Sequence, residues 1–224
     1  MRPPDHKIFP LGDRALTIDF GNEISEEKNE RAIAIAAYFE THPFEGFIET
    51  IPTYSSTTIF FDPFVVSQAF SNLASPFETV RSFAKRAVAS VSKSDPKIGR
   101  EVEIPVRFTG EDIDEVADFA SISRAELVSV FTAVTYRVFM LGFLPGFAYM
   151  GTVDPGIRMP RRDQPRSAVP AGSVGIAGSQ TGIYPIQSPG GWRLIGQTEV
   201  SLFSPASKDP FRFRPGDSVK FMSI

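Results

Sequence analysis

Five arginines, Arg158, Arg161, Arg162, Arg166 and Arg193, stand between residues 140 and 200, where there is no lysine and only three acids, Asp154, Asp163 and Glu199. A guanidinium is a rigid fork that matches a carboxylate or phosphate, and each charge-assisted hydrogen bond contributes about 1.5–3 kcal/mol. In a chain of formal charge −3, such a local cationic excess suits an anionic ligand or an acidic partner. The alternative is a solvated loop, because Arg161 and Arg162 flank Asp163 in MPRRDQPR and surface pairs of this kind contribute little. The same region holds GSQTGIYPIQSPGGW, residues 178–192, which carries the one tryptophan of the chain and no histidine, cysteine, lysine or carboxylate. Its glycine, hydroxyl and amide groups serve either a ligand or the turns of the chain itself. Gly172, Gly175, Gly178 and Gly182 open no helix, so they form no dinucleotide fingerprint, and barrel turns at positive φ would account for them. FLPGFAYMG places Phe143, Phe147 and Tyr149 around Pro145 and Gly146, as core or as a pocket wall. Tyr149, with a hydroxyl to satisfy, is the better wall residue.

Other chemistries are excluded more firmly. The two histidines, His6 and His42, lie in the N-terminal half without metal-ligand spacing, and there is no cysteine, which removes a histidine-based triad, a thiolate site and a disulfide framework. His42, before Pro43, reads as a partner for the C-terminal dipole of a helix. No Gly-Lys-Ser/Thr occurs, so a Walker A loop is absent. Twenty-three basic against twenty-six acidic residues give no cationic face for nucleic acid. No apolar run is long enough to cross a bilayer and the first residues lack a signal core, so we expect a soluble, cytoplasmic protein with neither nucleic acid nor membrane as partner.

The elements that must position these groups fall into two halves. RALTIDF alternates with Leu16, Ile18 and Phe20 on one face and predicts a strand. Ser25, Glu26 and Glu27 predict a capped helix to about Tyr38. GFIETIPTY and STTIFFD read as a strand pair, VVSQAFSNLA as a short helix, and SPFETVRSFAKRAVASV as a longer one with Ser75 and Glu78 as its capping box and Pro76 in its first turn. The order β, α, β, β, α matches a split βαβ, ferredoxin-like module. SKSDPKIGR, residues 92–100, breaks the period and marks the boundary. Beyond it, REVEIPVRF predicts a strand, EDIDEVADFA a short helix, and Ser123 with Glu126 the cap of another. After Tyr136 come short alternating runs punctuated by Gly and Pro, as in a compact barrel or sandwich. At 224 residues and 42% hydrophobic content, one large domain or two small ones can bury a core.

Taken together, FLPGFAYMG, PRRDQPRSAVPAGSVGIAGSQTGIYPIQSPGGWRLIGQT, FRPGDSVKF and the N-terminal GDRALTIDFGNEIS resemble the family of B subunits of bacterial 5-oxoprolinase. That group is also described as Kip-type histidine-kinase inhibitors and as allophanate hydrolase subunit 1. The resemblance implies an α+β ferredoxin-like domain over residues 1–95 and an all-β cyclophilin-like barrel over 100–224. It implies a subunit of an ATP-dependent enzyme that opens 5-oxo-L-proline to L-glutamate, inactive alone and acting with A and C subunits, with ATP at a shared site and Mg as its counter-ion. The lack of His, Cys or Lys around the site agrees with a shared active site. An inhibitor that binds a sensor histidine kinase, or a subunit of urea or allophanate metabolism, is the alternative.

For such a substrate, Arg161 and Arg166 would hold a carboxylate or a phosphate. Backbone amides near Gly178, Gly182, Gly190 and Gly191, with the side chains of Gln180, Thr181 and Ser188, would donate to a developing oxyanion. Tyr184 and Trp192 would form a flat wall, with Gln180 and Tyr184 as the catalytic groups. No metal site of the chain's own is expected. Phe131 and Thr132 stand where the family commonly has a histidine followed by Ser or Thr, and FTGEDIDEV lacks the usual Gly-Pro.

Overall fold

The computed structural model describes residues 5–71, 75–91 and 99–224. The chain divides into two compact units, Met1–Lys97 and Ile98–Ile224. The polar boundary read at residues 92–100 lies outside the described residues over 92–98, as does the end of VVSQAFSNLA over 72–74.

In the first unit, strands β1 (Lys7–Leu11), β2 (Ala15–Asp19), β3 (Phe47–Pro52) and β4 (Ser56–Phe61) form an antiparallel sheet in the order β1-β2-β4-β3. Helices α1 (Glu26–Thr41), α2 (Pro63–Ala69) and α3 (Pro76–Val91) follow β2 and β4. Leu16, Ile18, Ile59 and Phe61 share a core with Ile35 and Phe39 of α1 and Val80, Ala84 and Ala87 of α3, the period-two and period-3.6 faces the sequence predicts. Ser25 caps α1, accepting from the Lys28 amide, and Ser75 accepts from Glu78 at the start of α3.

The split βαβ is present, since β2 and β3 run parallel on either side of β4 and α1 joins them. A ferredoxin-like module would add a strand after its second helix beside β2. Here β1 takes that edge, a strand that KIFPL, with a proline and four exposed residues, did not announce.

The second unit is a barrel of mixed strands. Its sheet runs β12 (Arg193–Gln197), β9 (Ser173–Ala177), β10 (Gln180–Ile183), β7 (Ala148–Gly151), β6 (Thr135–Leu141), β13 (Ser218–Ser223) and β5 (Glu101–Val106). All pairs are antiparallel except β13 with β5. The two end strands meet at the Arg107–Gln197 bridge, whose amides and carbonyls exchange hydrogen bonds of 2.9 Å, and this nearly closes the barrel. Val102, Ile104, Val138, Met150, Val174, Ile176, Ile183, Ile195 and Phe221 point inward.

Helices α4 (Ile113–Ala120) and α5 (Arg124–Ala133) follow β5, and Ile113, Val116, Leu127 and Phe131 add to the same core. Phe131 packs against Phe108, Tyr136 and Phe221. Ser123 and Glu126 close a reciprocal capping box at the start of α5. Ser123→Ala therefore costs about 1 kcal/mol of stability, readable as a shift in the denaturant midpoint at unchanged slope.

Candidate functional site

Strands β8 (Arg166–Val169) and β11 (Ser188–Gly190) form a two-stranded ribbon apart from the main sheet. On β9 and β12, residues alternate between two cores: Val174, Ile176 and Ile195 enter the barrel, whereas Ala177 and Leu194 join a second cluster with Phe147, Val169, Tyr184 and Trp192. This aromatic layer explains half of the glycine series. A Cβ on Gly175 would lie 3.0 Å from Trp192 Cβ, and one on Gly182 would lie 3.2 Å from Trp192 Cζ3 and 3.0 Å from Phe147 Cζ. These two glycines make room for the indole against the strands. The other two, Gly172 and Gly178, have φ of +81° and +58° and are the turns that the sequence suggested.

The expected site residues separate into groups. Tyr184 is 1% exposed and Trp192 is buried, so both are structural pieces of the layer, standing edge to face with Phe147. Burial raises the Tyr184 hydroxyl above its ordinary pKa, only partly offset by the backbone hydrogen bond from Trp192. That hydroxyl sits against Gly190, where an added Cβ would lie 2.3 Å from it. Thr181 is fully buried and donates to the Gly175 carbonyl at 2.9 Å, so its hydroxyl is spent on the barrel. Ser188 is likewise buried, its hydroxyl donating to the Pro189 carbonyl at 3.2 Å. Gln180 is half-buried at the start of β10, opposite Gly151 and Ala177.

The arginine loop before β8 is tied to these elements by its backbone. The Arg162 amide donates to Gly191 O and the Gly178 amide to Met159 O, each at 2.8 Å. Arg161 lies exposed with its guanidinium carbon 5.9 Å from the Trp192 ring centroid, and it has no carboxylate partner among the described residues. Gly191, Trp192 and Arg161 thus adjoin.

The remaining arginines are occupied by residues that sequence reasoning missed. Asp112, the residue before α4, is 3% exposed. Its Oδ1 accepts from Arg162 Nη1 at 2.9 Å and Arg166 Nη2 at 2.6 Å, and its Oδ2 accepts from the Leu194 amide at 2.6 Å. Arg166 Nε also donates to Glu111 at 3.0 Å, and Arg193 Nη1 grips Glu115 at 2.7 Å. Arg158 Nε donates to the Val153 carbonyl.

Burial by itself would raise the Asp112 carboxyl. The hydrogen bonds from Arg166 and Leu194 and the charges of Arg166 and Arg162 outweigh it and hold the group below its ordinary range. Arg166 was expected to grip a substrate carboxylate, and instead it grips two of the protein's own. The available signal was the run GEDIDE, acidic at the start of a helix and opposite in sign to the arginine loop.

The comparisons with known proteins agree with this architecture. Residues 6–213 match the family described as carboxyltransferase domain, subdomain C and D. The chain is 45% identical over 223 residues to the B subunit of 5-oxoprolinase from Bacillus subtilis (strain 168), covering 98% of this chain and 93% of that protein. The crystal structure of TTHA0988 superposes with a TM-score of 0.80 at 37% identity over 94% of this chain, which spans 40% of that longer one. The K. lactis urea amidolyase shares the fold at a TM-score of 0.75 and 20% identity, over 98% of this chain and 15% of that chain. The chain belongs to the carboxyltransferase subdomain C and D family, in the branch whose curated members are named as B subunits of 5-oxoprolinase.

Proposed function

We propose that this chain is the B subunit of an ATP-dependent 5-oxoprolinase, opening the lactam of 5-oxo-L-proline to L-glutamate in the cytoplasm together with partner A and C subunits. The observation that carries this reading is its 45% identity, over nearly the whole chain, to a protein named for that activity. The first unit then keeps the split βαβ of a ferredoxin-like domain with β1 on the edge its last strand would take, and the second, a cyclophilin-like barrel, presents the substrate site.

Within that site, Arg161 is the group free to hold the substrate carboxylate, beside Trp192. The Gln180 side chain and backbone amides near Gly191 supply polar contacts to the ring amide. Arg166 and Arg162, fixed by Asp112, position the loop that carries Arg161. Removing one charge-assisted contact to a carboxylate forfeits about 1.5–3 kcal/mol. Arg161→Ala therefore raises KM for 5-oxoproline roughly tenfold or more in the assembled enzyme, while assembly is unchanged. An unaltered KM rejects Arg161 as the carboxylate ligand.

Among the described residues no group of three or more His, Cys, Asp or Glu side chains could hold a metal, and three of the five arginines already carry carboxylates. We assign nucleotide binding to a partner subunit. The test is 5-oxoproline-dependent ATP hydrolysis by the chain mixed with the A and C subunits, each omitted in turn. Turnover in the full mixture and none when this chain is left out is expected; full turnover without it refutes the assignment.

A further inference from the structure

The carboxylates that occupy the arginines lie on one short segment. Glu111, Asp112 and Glu115, at the start of α4, take up Arg166, Arg162 and Arg193. Asp112 is buried and serves the fold. Glu115 differs: its side chain is 49% exposed, yet both its oxygens lie 2.7 Å from Arg193 Nη1, and Arg162 Nη1 stands 4.0 Å away. Glu111 is more exposed still and accepts from Arg166 Nε at 3.0 Å. Carboxylates this exposed add little to stability, so their main effect is on the charge of the site.

Arg193 belongs to the neighbourhood of Arg161. Its Nε donates at 3.2 Å to the carbonyl of Pro160, the residue peptide-bonded to Arg161. Trp192, its own chain neighbour, carries the indole 5.9 Å from the Arg161 guanidinium. With Asp163 on the same loop, the four guanidiniums of Arg161, Arg162, Arg166 and Arg193 are matched by the four carboxylates of Glu111, Asp112, Glu115 and Asp163. The cationic excess of the loop is thereby cancelled, and Arg161 is left as a fork with no carboxylate partner among the described residues. Such a fork matches one carboxylate. A second negative group on the same ligand meets Arg193 already paired with Glu115.

We propose that Glu115, assisted by Glu111, is a specificity-determining residue: by occupying Arg193 and Arg166, the two glutamates limit the site at Arg161 to ligands with one carboxylate. This rests on the function proposed above and deepens it. Hydrolysis of the lactam of 5-oxo-L-proline adds water across the amide bond, leaving an ammonium group and a second carboxylate. The substrate therefore carries one carboxylate and the product two. A site with one open fork holds the carboxylate they share and gives the new one no partner, which favours release of L-glutamate over its retention.

The test titrates the full chain by calorimetry with acetate and with glutarate, a dicarboxylate of the product's length without its ammonium group. Low ionic strength is used, where charges are least screened. The unaltered chain is expected to bind the two within about threefold of each other. Glu115→Gln keeps an acceptor for Arg193 Nη1 and is expected to tighten glutarate about tenfold and acetate less than about threefold. Adding Arg161→Ala to that variant abolishes the gain. Glu111→Gln shifts selectivity the same way by about threefold, and it replaces the first variant if Glu115→Gln melts lower. Glu199→Gln, which removes the same charge from the pair with Arg107 at the other end of β12, leaves both constants unchanged. In the assembled enzyme, inhibition by L-glutamate strengthens in Glu115→Gln by about the factor seen for glutarate. If neither glutamine variant gains more for glutarate than for acetate, whether both anions bind alike or neither binds, the proposal is overturned. If the assembled subunits turn over no 5-oxoproline, the function proposed above fails, while the titration of the chain alone still decides what Glu115 does.

Discussion

Asp112→Asn lowers the stability of the protein by about 3 kcal/mol, the usual cost of breaking a buried ion pair from one side, and its melting temperature by roughly 6–12 °C. The carboxylate accepts from two guanidiniums and a backbone amide while almost wholly buried. The amide of asparagine keeps the shape, but it removes the negative charge and can turn a donor toward Arg162 and Arg166. The Asp112 amide also donates to Leu194 O at 2.8 Å, so the side-chain bond to the Leu194 amide completes a two-way link between the start of α4 and β12. Losing it loosens the region where the barrel closes.

The pH dependence has a definite sign. The folded-state pKa of Asp112 is depressed, so its contribution is complete above the unfolded value of about 3.9 and is lost as pH falls through the lower folded value. The gap between wild type and Asp112→Asn is expected to stay constant from pH 7 to 5 and to shrink in more acidic solution. Thermal unfolding across that range checks both claims. A shift below about 2 °C at pH 7 would show that the arginines re-pair with Glu111 and Glu115 at little cost.

The second large effect is expected at Gly182. A Cβ there meets the Ala148 carbonyl at 2.8 Å, as well as the Phe147 and Trp192 rings. Because the carbonyl belongs to a paired strand, it cannot swing aside as a flexible side chain would. Gly182→Val is expected to cost about 3 kcal/mol, the upper part of the overpacking range, and to disturb Trp192 fluorescence. Gly178, at φ +58° with no atom near its missing Cβ, provides the contrast: Gly178→Ala pays only the left-handed strain of about 1 kcal/mol. Chemical denaturation of the two variants separates them. Equal losses would mean that the indole layer is not packed against β10 as described.

Different parts of the structure were legible in the sequence for different reasons. α3 could be read because its apolar stripe, its Ser75 cap and Pro76 all lie within one segment, and the Ser123–Glu126 box announced α5 in the same way. β1 could not, because its five residues are mostly exposed and contain a proline; it exists because β2 offers it a partner. Among the glycines, the turn-forming Gly172 and Gly178 follow from local backbone conformation. Gly175 and Gly182 answer to Trp192, as many as 17 residues away, and no local rule identifies them.

The candidate site divides along the same line. Residue types and motif order, by themselves, determined the family resemblance and the clustering of arginines with glycines and aromatics in one segment, because composition and local order are properties of the chain. Which arginine stays open to a ligand was decided only by the tertiary structure. Asp112 reaches Arg162 and Arg166 across 50 and 54 residues, and Glu115 reaches Arg193 across 78. Charges attract without regard to sequence separation, so closure of the barrel selects the pairs: it brings the start of α4 against β12 and the arginine loop, consumes three of the five guanidiniums in ion pairs, and leaves Arg161 exposed.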